Sequence, residues 1–293
     1  METVYRVMFE VESKRDRALV RDLVRAFPPL ELEEDFETVL TVYGELARAL
    51  RDRARQVGLE CGMAISTRHS REEVLAADLG LLYAASSRGF TARVPKDGYS
   101  FASACSDCGL GAVQTKPLIM HGAVRGRAAF YYASADGTHI IIRTPIAREI
   151  IERTSQPGCF RHPVDRQGHV IADWMQAIPG ATLPPISRET KGVTWHEGCP
   201  ICGRRAWRVS HEEPVRLMYP RRAALAAQRH AVVSMYEPCG VFPNHRPGAS
   251  GFDDELGLPR LLFNKAAVQV LERYIQPERF FPTHSSIEPV YSE

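Results

Sequence analysis

The chain has 293 residues, 44% of them hydrophobic, enough to bury one large core or two smaller ones. Its 37 basic and 35 acidic residues leave a net charge of +2, so total charge makes no case for bulk nucleic-acid binding. Seven cysteines without even spacing argue against a secreted disulfide framework, and the first eleven residues lack the basic stretch and apolar run of a signal peptide. No run approaches the roughly eighteen apolar residues of a membrane span, so a cytoplasmic protein without a membrane partner is expected.

In chain order, residues 4–11 alternate and are rich in valine, which predicts a strand. Residues 16–27 carry Leu19, Val20, Leu23 and Val24 at helical spacing, and Pro28-Pro29 ends that helix. The acidic stretch 31–37 leads into an expected second helix, with Val39, Val42, Tyr43, Leu46, Ala49 and Leu50 inward. Arg48, Arg51, Arg53 and Arg55 then face outward, and the plain reading of such a row is a solvated helix face. Residues 63–67 read as a short strand. A further helix starts at Ser70 as N-cap with Glu73 in the capping-box position, and Val74, Leu75, Leu79, Leu81 and Leu82 follow on its buried side. Residues 1–98 thus read as an α/β unit without a catalytic signature.

Two short signatures then stand far apart: Cys105-Ser106-Asp107-Cys108-Gly109 and Cys199-Pro200-Ile201-Cys202-Gly203. Two thiolates three positions apart on a tight turn can point at one metal, and the following glycine lets the backbone reverse. Each knuckle supplies two ligands and a closed zinc site needs four, so the pair predicts one structural zinc held by Cys105, Cys108, Cys199 and Cys202. The competing readings are a redox disulfide within either pair, or four free buried thiols.

An internal repeat is also expected. IIIRTPIAREIIERTSQP at 140–157 aligns with LLFNKAAVQVLERYIQP at 261–277, with Ile151-Glu152-Arg153 on Leu271-Glu272-Arg273 at an offset of 120. A Pro-Val pair follows each, Pro163-Val164 and Pro289-Val290. The simplest account is a duplicated unit, each copy giving half of the metal site, with extra length in the second copy between Arg204 and Pro259. The expected fold is α+β: the N-terminal α/β unit, then a duplicated region over 99–293 (copies 99–190 and 191–293), joined by a split rubredoxin- or zinc-ribbon-like site.

The two CxxCG knuckles, the helix opening Ser70-Arg71-Glu72-Glu73 and the helix-then-Pro-Val ending resemble the double-CXXCG family. That family occurs as many paralogues in myxobacteria and other bacteria and has been linked to contact-dependent toxin–immunity loci. The resemblance covers roughly residues 60–293, and its specific part is the four cysteines, the two glycines and their spacing. It implies a zinc-stabilised cytoplasmic protein without enzymatic activity, an immunity partner of a secreted toxin.

Other candidates carry bland alternatives. Cys159 and His162, with Cys239 and His245, would make a second metal site; unrelated loop residues beside prolines are the plain alternative. His196 is a candidate neighbour of the metal, against an exposed loop histidine as the plainer reading, and Asp253-Asp254-Glu255 a cation or partner site, against a solvated turn. Arg204, Arg205, Trp207 and Arg208 form the best anion or nucleic-acid patch, because arginine beside an aromatic can hold phosphate and stack on a base. Trp174, Trp195 and Trp207 otherwise read as packing residues. No phosphate loop, nucleophile elbow or HExxH is present, so no enzyme is expected. A toxin-binding immunity protein is the leading expectation and a zinc-ribbon nucleic-acid binder the alternative.

Overall fold

The computed structural model describes residues 2–9, 13–26, 39–43, 45–83, 90–95, 97–124, 128–133, 139–210, 215–238, 259–275 and 286–292. Over these residues the protein is mixed α+β, mostly strands, with six α-helices. It divides into two compact units: Met1–Ser70 with Lys191–Val193 and Val209–Arg216, and Arg71–Thr190 with Thr194–Arg208 and Leu217–Glu293.

The first unit runs β1 (Glu2–Phe9), α1 (Lys14–Arg25), β2 (Val39–Tyr43), α2 (Glu45–Gln56) and β3 (Cys61–Arg68). Strand β1 lies between β2 and β3, antiparallel to both, with Val7 opposite Leu40 and Met63. Both helices bury one side against the sheet: Val20 and Leu23 of α1, Ala47, Leu50 and Ala54 of α2, meeting Val7 and Phe9. Helix α1 starts at a reciprocal cap, in which the Ser13 amide donates to Asp16 and the Asp16 amide to Ser13 Oγ. Residues 39–43, whose spacing predicts the start of a helix, form a strand instead. Val-Leu-Thr-Val-Tyr favours pleated packing, and β1 offers it an edge, so the helix begins only at Glu45.

The second unit contains α3 (Arg71–Ala76), β4 (Leu79–Tyr83), β5 (Phe90–Arg93), β6 (Tyr99–Ser100), β7 (Val113–Gln114), β8 (Ile119–Gly122), β9 (Phe130–Tyr132), β10 (Ile140–Arg143) and α4 (Thr144–Thr154). It continues through β11 (Phe160–Arg161), β12 (Trp174–Ala177), β13 (Ala181–Thr182), β14 (Val193–Gly198), β15 (Arg205–Val209), β16 (Met218–Tyr219), α5 (Arg221–Ala227), β17 (Val232–Pro238), β18 (Pro259–Asn264), α6 (Lys265–Leu271) and β19 (Ser286–Ser292). Two sheets dominate, one ordered β11-β12-β10-β9 and one ordered β13-β17-β18-β4-β19-β16.

Leu79, Leu81 and Leu82 lie not on the expected helix but on β4, inside the larger sheet, and are essentially buried. A short apolar run reads equally well as a buried helix or a central strand, and here sheet neighbours decide. Helix α3 and strand β4, which lie within the expected N-terminal stretch 1–98, group with the second unit.

The two sheets share an internal pattern. Ile142 of β10 lies opposite Phe130 of β9 and Met175 of β12, and Phe263 of β18 lies opposite Val232 of β17 and Gly80 of β4. Phe160 of β11 faces Ala177 of β12, as Ile287 of β19 faces Leu82 of β4. All of these pairings are antiparallel. Helices α4 and α6, each following the strand β10 or β18, pack into one core: Ile146, Ala147 and Ile150 meet Ala267, Val268 and Leu271. At their far ends Arg153 donates to Gln269, and Arg273 to Glu149. The Arg273 bond holds the Glu149 carboxyl below its ordinary range.

Candidate metal centre

Both knuckles are built by the same local hydrogen bonds. The Gly109 amide donates to the Cys105 carbonyl (2.9 Å) and the Cys105 amide to the Leu110 carbonyl (2.9 Å). In the second knuckle Gly203 donates to Cys199 and Cys199 to the Arg204 carbonyl, both at 2.8 Å. Gly109 and Gly203 sit at φ +70° and +71°, the left-handed region that a Cβ disfavours. Each turn so closed aims its amides at sulfur: those of Asp107 and Cys108 at Cys105, and those of Ile201 and Cys202 at Cys199.

The two turns meet. Cys105 Sγ lies 3.7 Å from Cys199 Sγ, Cys108 Sγ lies 3.7 Å from Cys202 Sγ, and all four sulfurs fall within 4.8 Å of one another. A tetrahedron with metal–sulfur bonds of ~2.3 Å has sulfurs ~3.8 Å apart, whereas a disulfide needs ~2.05 Å. The observed spacing is too long for disulfides and close enough for the four sulfurs to hold one metal ion. Cys108 and Cys199 are buried with Leu110, and Cys105 and Cys202 are half-buried beside them. Burial opposes ionisation of Cys105, yet the amides of Cys108 and Asp107 and the neighbouring thiols bring its pKa down to about 7. Burial raises Cys108 and Cys199. The set can therefore release a first proton near neutrality, while a cation has to displace the others.

One neighbour borders the sulfurs directly. Cys199 Sγ donates to Asp107 Oδ2 at 3.4 Å. Arg204 stacks on Tyr236, its Cζ 4.3 Å from the ring centroid. Glu237, next to Tyr236 on β17, is 4% exposed and accepts from the Ile186 amide at 3.1 Å. Burial lifts the Glu237 carboxyl to about 7, against a smaller pull downward from the Ile186 amide and Arg204. Buried Tyr219, near this carboxylate, is itself raised by burial and by the Glu237 charge. Nothing in the spacing of the sequence signals Glu237, whose burial follows from its place on β17.

The other candidates are distributed differently. Cys159 is buried and His162 Nδ1 is 2.8 Å from the Trp174 carbonyl, while Cys239, His245 and Asp253-Asp254-Glu255 lie outside the described residues. Among the described residues the four knuckle cysteines are the one group that could hold a metal. His196 lies on β14, outside that group and half-buried rather than on an exposed loop. The basic patch does not form an open stacking platform. Trp207 is 1% exposed, Arg204 is half-buried and engaged by Tyr236, and of the exposed Arg205 and Arg208 the former lies 4.9 Å over the Trp195 ring. Along β15 Ala206 and Trp207 are both buried, between the exposed Arg205 and Arg208. Trp174 is also core, edge-on to Tyr131. No helix among the described residues is long and apolar enough to cross a membrane. Comparison with protein-family models, with curated proteins and with solved structures finds no match.

Proposed function

We propose that this chain is a zinc-stabilised interaction protein without catalytic activity, in which one structural ion clamps two copies of a strand–helix unit. The observation that carries the reading is the meeting of Cys105 with Cys199 and of Cys108 with Cys202, both at 3.7 Å. Four thiolates close the coordination shell and leave no position for a substrate or an activated water, which is the arrangement of a structural site.

The matched sheets support the duplication and refine it. Strands β9, β10 and β11 of the first copy correspond in order and register to β17, β18 and β19 of the second. The fourth strand is exchanged: β4, ahead of the first knuckle, pairs with β18, while β12, ahead of the second, pairs with β10. The contacts Arg153 to Gln269 and Arg273 to Glu149 are then one contact made twice, as an approximate two-fold demands at the offset of 120. Registers of the strands favour an offset of 121, since Ile142 matches Phe263. The longer second copy has its extra residues mainly at 239–258, between β17 and β18.

Such a body, with its four thiolates taken up by the ion, acts through its surface. The partner we propose, following the family resemblance, is a secreted toxin that the chain neutralises as an immunity protein in the cytoplasm. Elemental analysis of protein purified without added metal should give one zinc per chain. Co-expression with the protein encoded beside it should yield a stoichiometric complex and rescue growth from that protein's toxicity. Metal-free protein with four titratable thiols in the knuckles would overturn the clamp, and unrescued growth would overturn the immunity role.

A further inference from the structure

The two knuckles are built alike but differ at one position that reaches the sulfurs. The third residue of Cys105-Ser106-Asp107-Cys108 is Asp107, and that of Cys199-Pro200-Ile201-Cys202 is Ile201. Asp107 is half-buried, and its Oδ2 accepts from Cys199 Sγ at 3.4 Å, a contact from one knuckle to the other. Ile201 is 67% exposed and its side chain has no atom that accepts a hydrogen bond, so the neighbours of Cys105 are amides and thiols. The approximate two-fold of the centre is thus broken at Cys199.

That contact suits a thiol and opposes a thiolate. A zinc ligand is a sulfur without its proton, and such a sulfur has nothing to donate to Asp107. Four thiolates around one divalent ion leave the shell net negative, and the carboxylate adds to that charge at the Cys199 corner. Cys199 is buried, so solvent screens the repulsion only in part. Among the described residues no lysine or arginine forms an ion pair with Asp107 that would cancel its charge. The turns themselves treat the two sulfurs equally: the amides of Ile201 and Cys202 aim at Cys199 as those of Asp107 and Cys108 aim at Cys105. The carboxylate is what separates them.

The geometry points to Asp107 as the residue that makes the bound zinc exchangeable, with Cys199 as the ligand that lets go first. The inference rests on the zinc clamp proposed above and deepens it: the clamp opens and closes with the supply of zinc. Asp107 does not hold the ion, because among the described residues the ligand atoms that gather within 4.8 Å of one another are the four sulfurs. It acts through Cys199, as a positioning residue. On release the bond from the metal to Cys199 breaks, the sulfur takes a proton from water, and the S–H turns to Asp107 Oδ2. The chain then keeps a hydrogen bond in place of the metal bond. Cys105, with isoleucine at the matching position, has no such path.

The test is the rate at which the full-length, zinc-loaded protein gives up its ion to excess EDTA, followed with a chromogenic zinc indicator. Asp107→Asn removes the charge and keeps the shape. Asp107→Ile rebuilds the first knuckle on the pattern of the second, whose turn already accommodates isoleucine. Both should release zinc about tenfold more slowly than the parent, and hold it correspondingly more tightly in competition with the chelator. Asp107→Glu keeps the charge, and its release should lie closer to the parent's than to that of either neutral variant. The inference is overturned if either neutral variant releases zinc as fast as the parent or faster, or if Asp107→Glu is as slow as they are. A parent that carries no zinc would instead overturn the clamp itself, and elemental analysis shows this before the chelator is added.

Discussion

Cys108 Sγ and Cys202 Sγ lie 3.7 Å apart although 94 positions separate them in the chain. That distance is too long for a disulfide and suits either a thiol–thiol hydrogen bond or two ligands of one metal ion; ionised thiolates at this spacing would repel without a cation among them.

Exchange of Cys105 or Cys202 for serine should therefore have one consequence, not two. Each single variant should lose the zinc and about 3–5 kcal/mol of stability, lowering the thermal midpoint by roughly 10 °C. Elemental analysis and calorimetry on the same samples check this, and a single-knuckle variant that keeps full zinc occupancy would refute the shared site.

The left-handed glycines behind the knuckles make a graded prediction. A Cβ on Gly203 would meet no atom within 4 Å, so Gly203→Ala suffers only the backbone penalty of its φ of +71°. That penalty is about 1–2 kcal/mol, and Gly203→Asn should cost less because asparagine tolerates this region. Competition with a chelator should show zinc affinity falling in the same order, and equal affinities in all three proteins would contradict it.

Glu237 makes stability depend on pH. Its carboxyl titrates near 7 when buried and at 4.5 ordinarily, so between those values the folded chain binds more protons than the unfolded one. Stability should therefore fall as pH rises from about 4.5 through 7, by about 2–3 kcal/mol, and level off above. Glu237→Gln keeps an oxygen for the Ile186 amide without the charge, and should gain relative to the parent at pH 8 but not at pH 5. Denaturant midpoints at the two pH values measure the difference; a gain of equal size at both would show that the charge is not the cause.

The α4–α6 core outweighs the ion pair at its rim. Phe263→Ala, at a fully buried site of β18, should cost about 3–5 kcal/mol. Glu149→Gln should leave the melting temperature almost unmoved, because Glu149 and Arg273 are both substantially exposed and solvent screens their attraction. Urea titrations of the two variants decide between core and rim.

Local chemistry is legible in the amino-acid sequence. The four knuckle cysteines are the four that converge, and residues 140–157 do form a strand and a helix, as 261–271 do. These features rest on contacts within a few positions: a turn closed by Gly109 or Gly203, a helix begun after Arg143 or capped by the Asn264 side chain. Residues 39–43 and 79–83 are not legible in the same way, because a five-residue apolar run has no period long enough to separate strand from helix.

What the sequence by itself determined is thus the set of four cysteines that cluster and the shape of each turn, because a Cys-x-x-Cys-Gly turn is closed by its own backbone. Only the tertiary structure decided which sulfurs meet, that β4 joins the sheet of β18 and β12 that of β10, and that Trp207 and Glu237 are buried. Each of these depends on partners far along the chain, whose pairing is set by the packing of whole sheets rather than by the residues beside them.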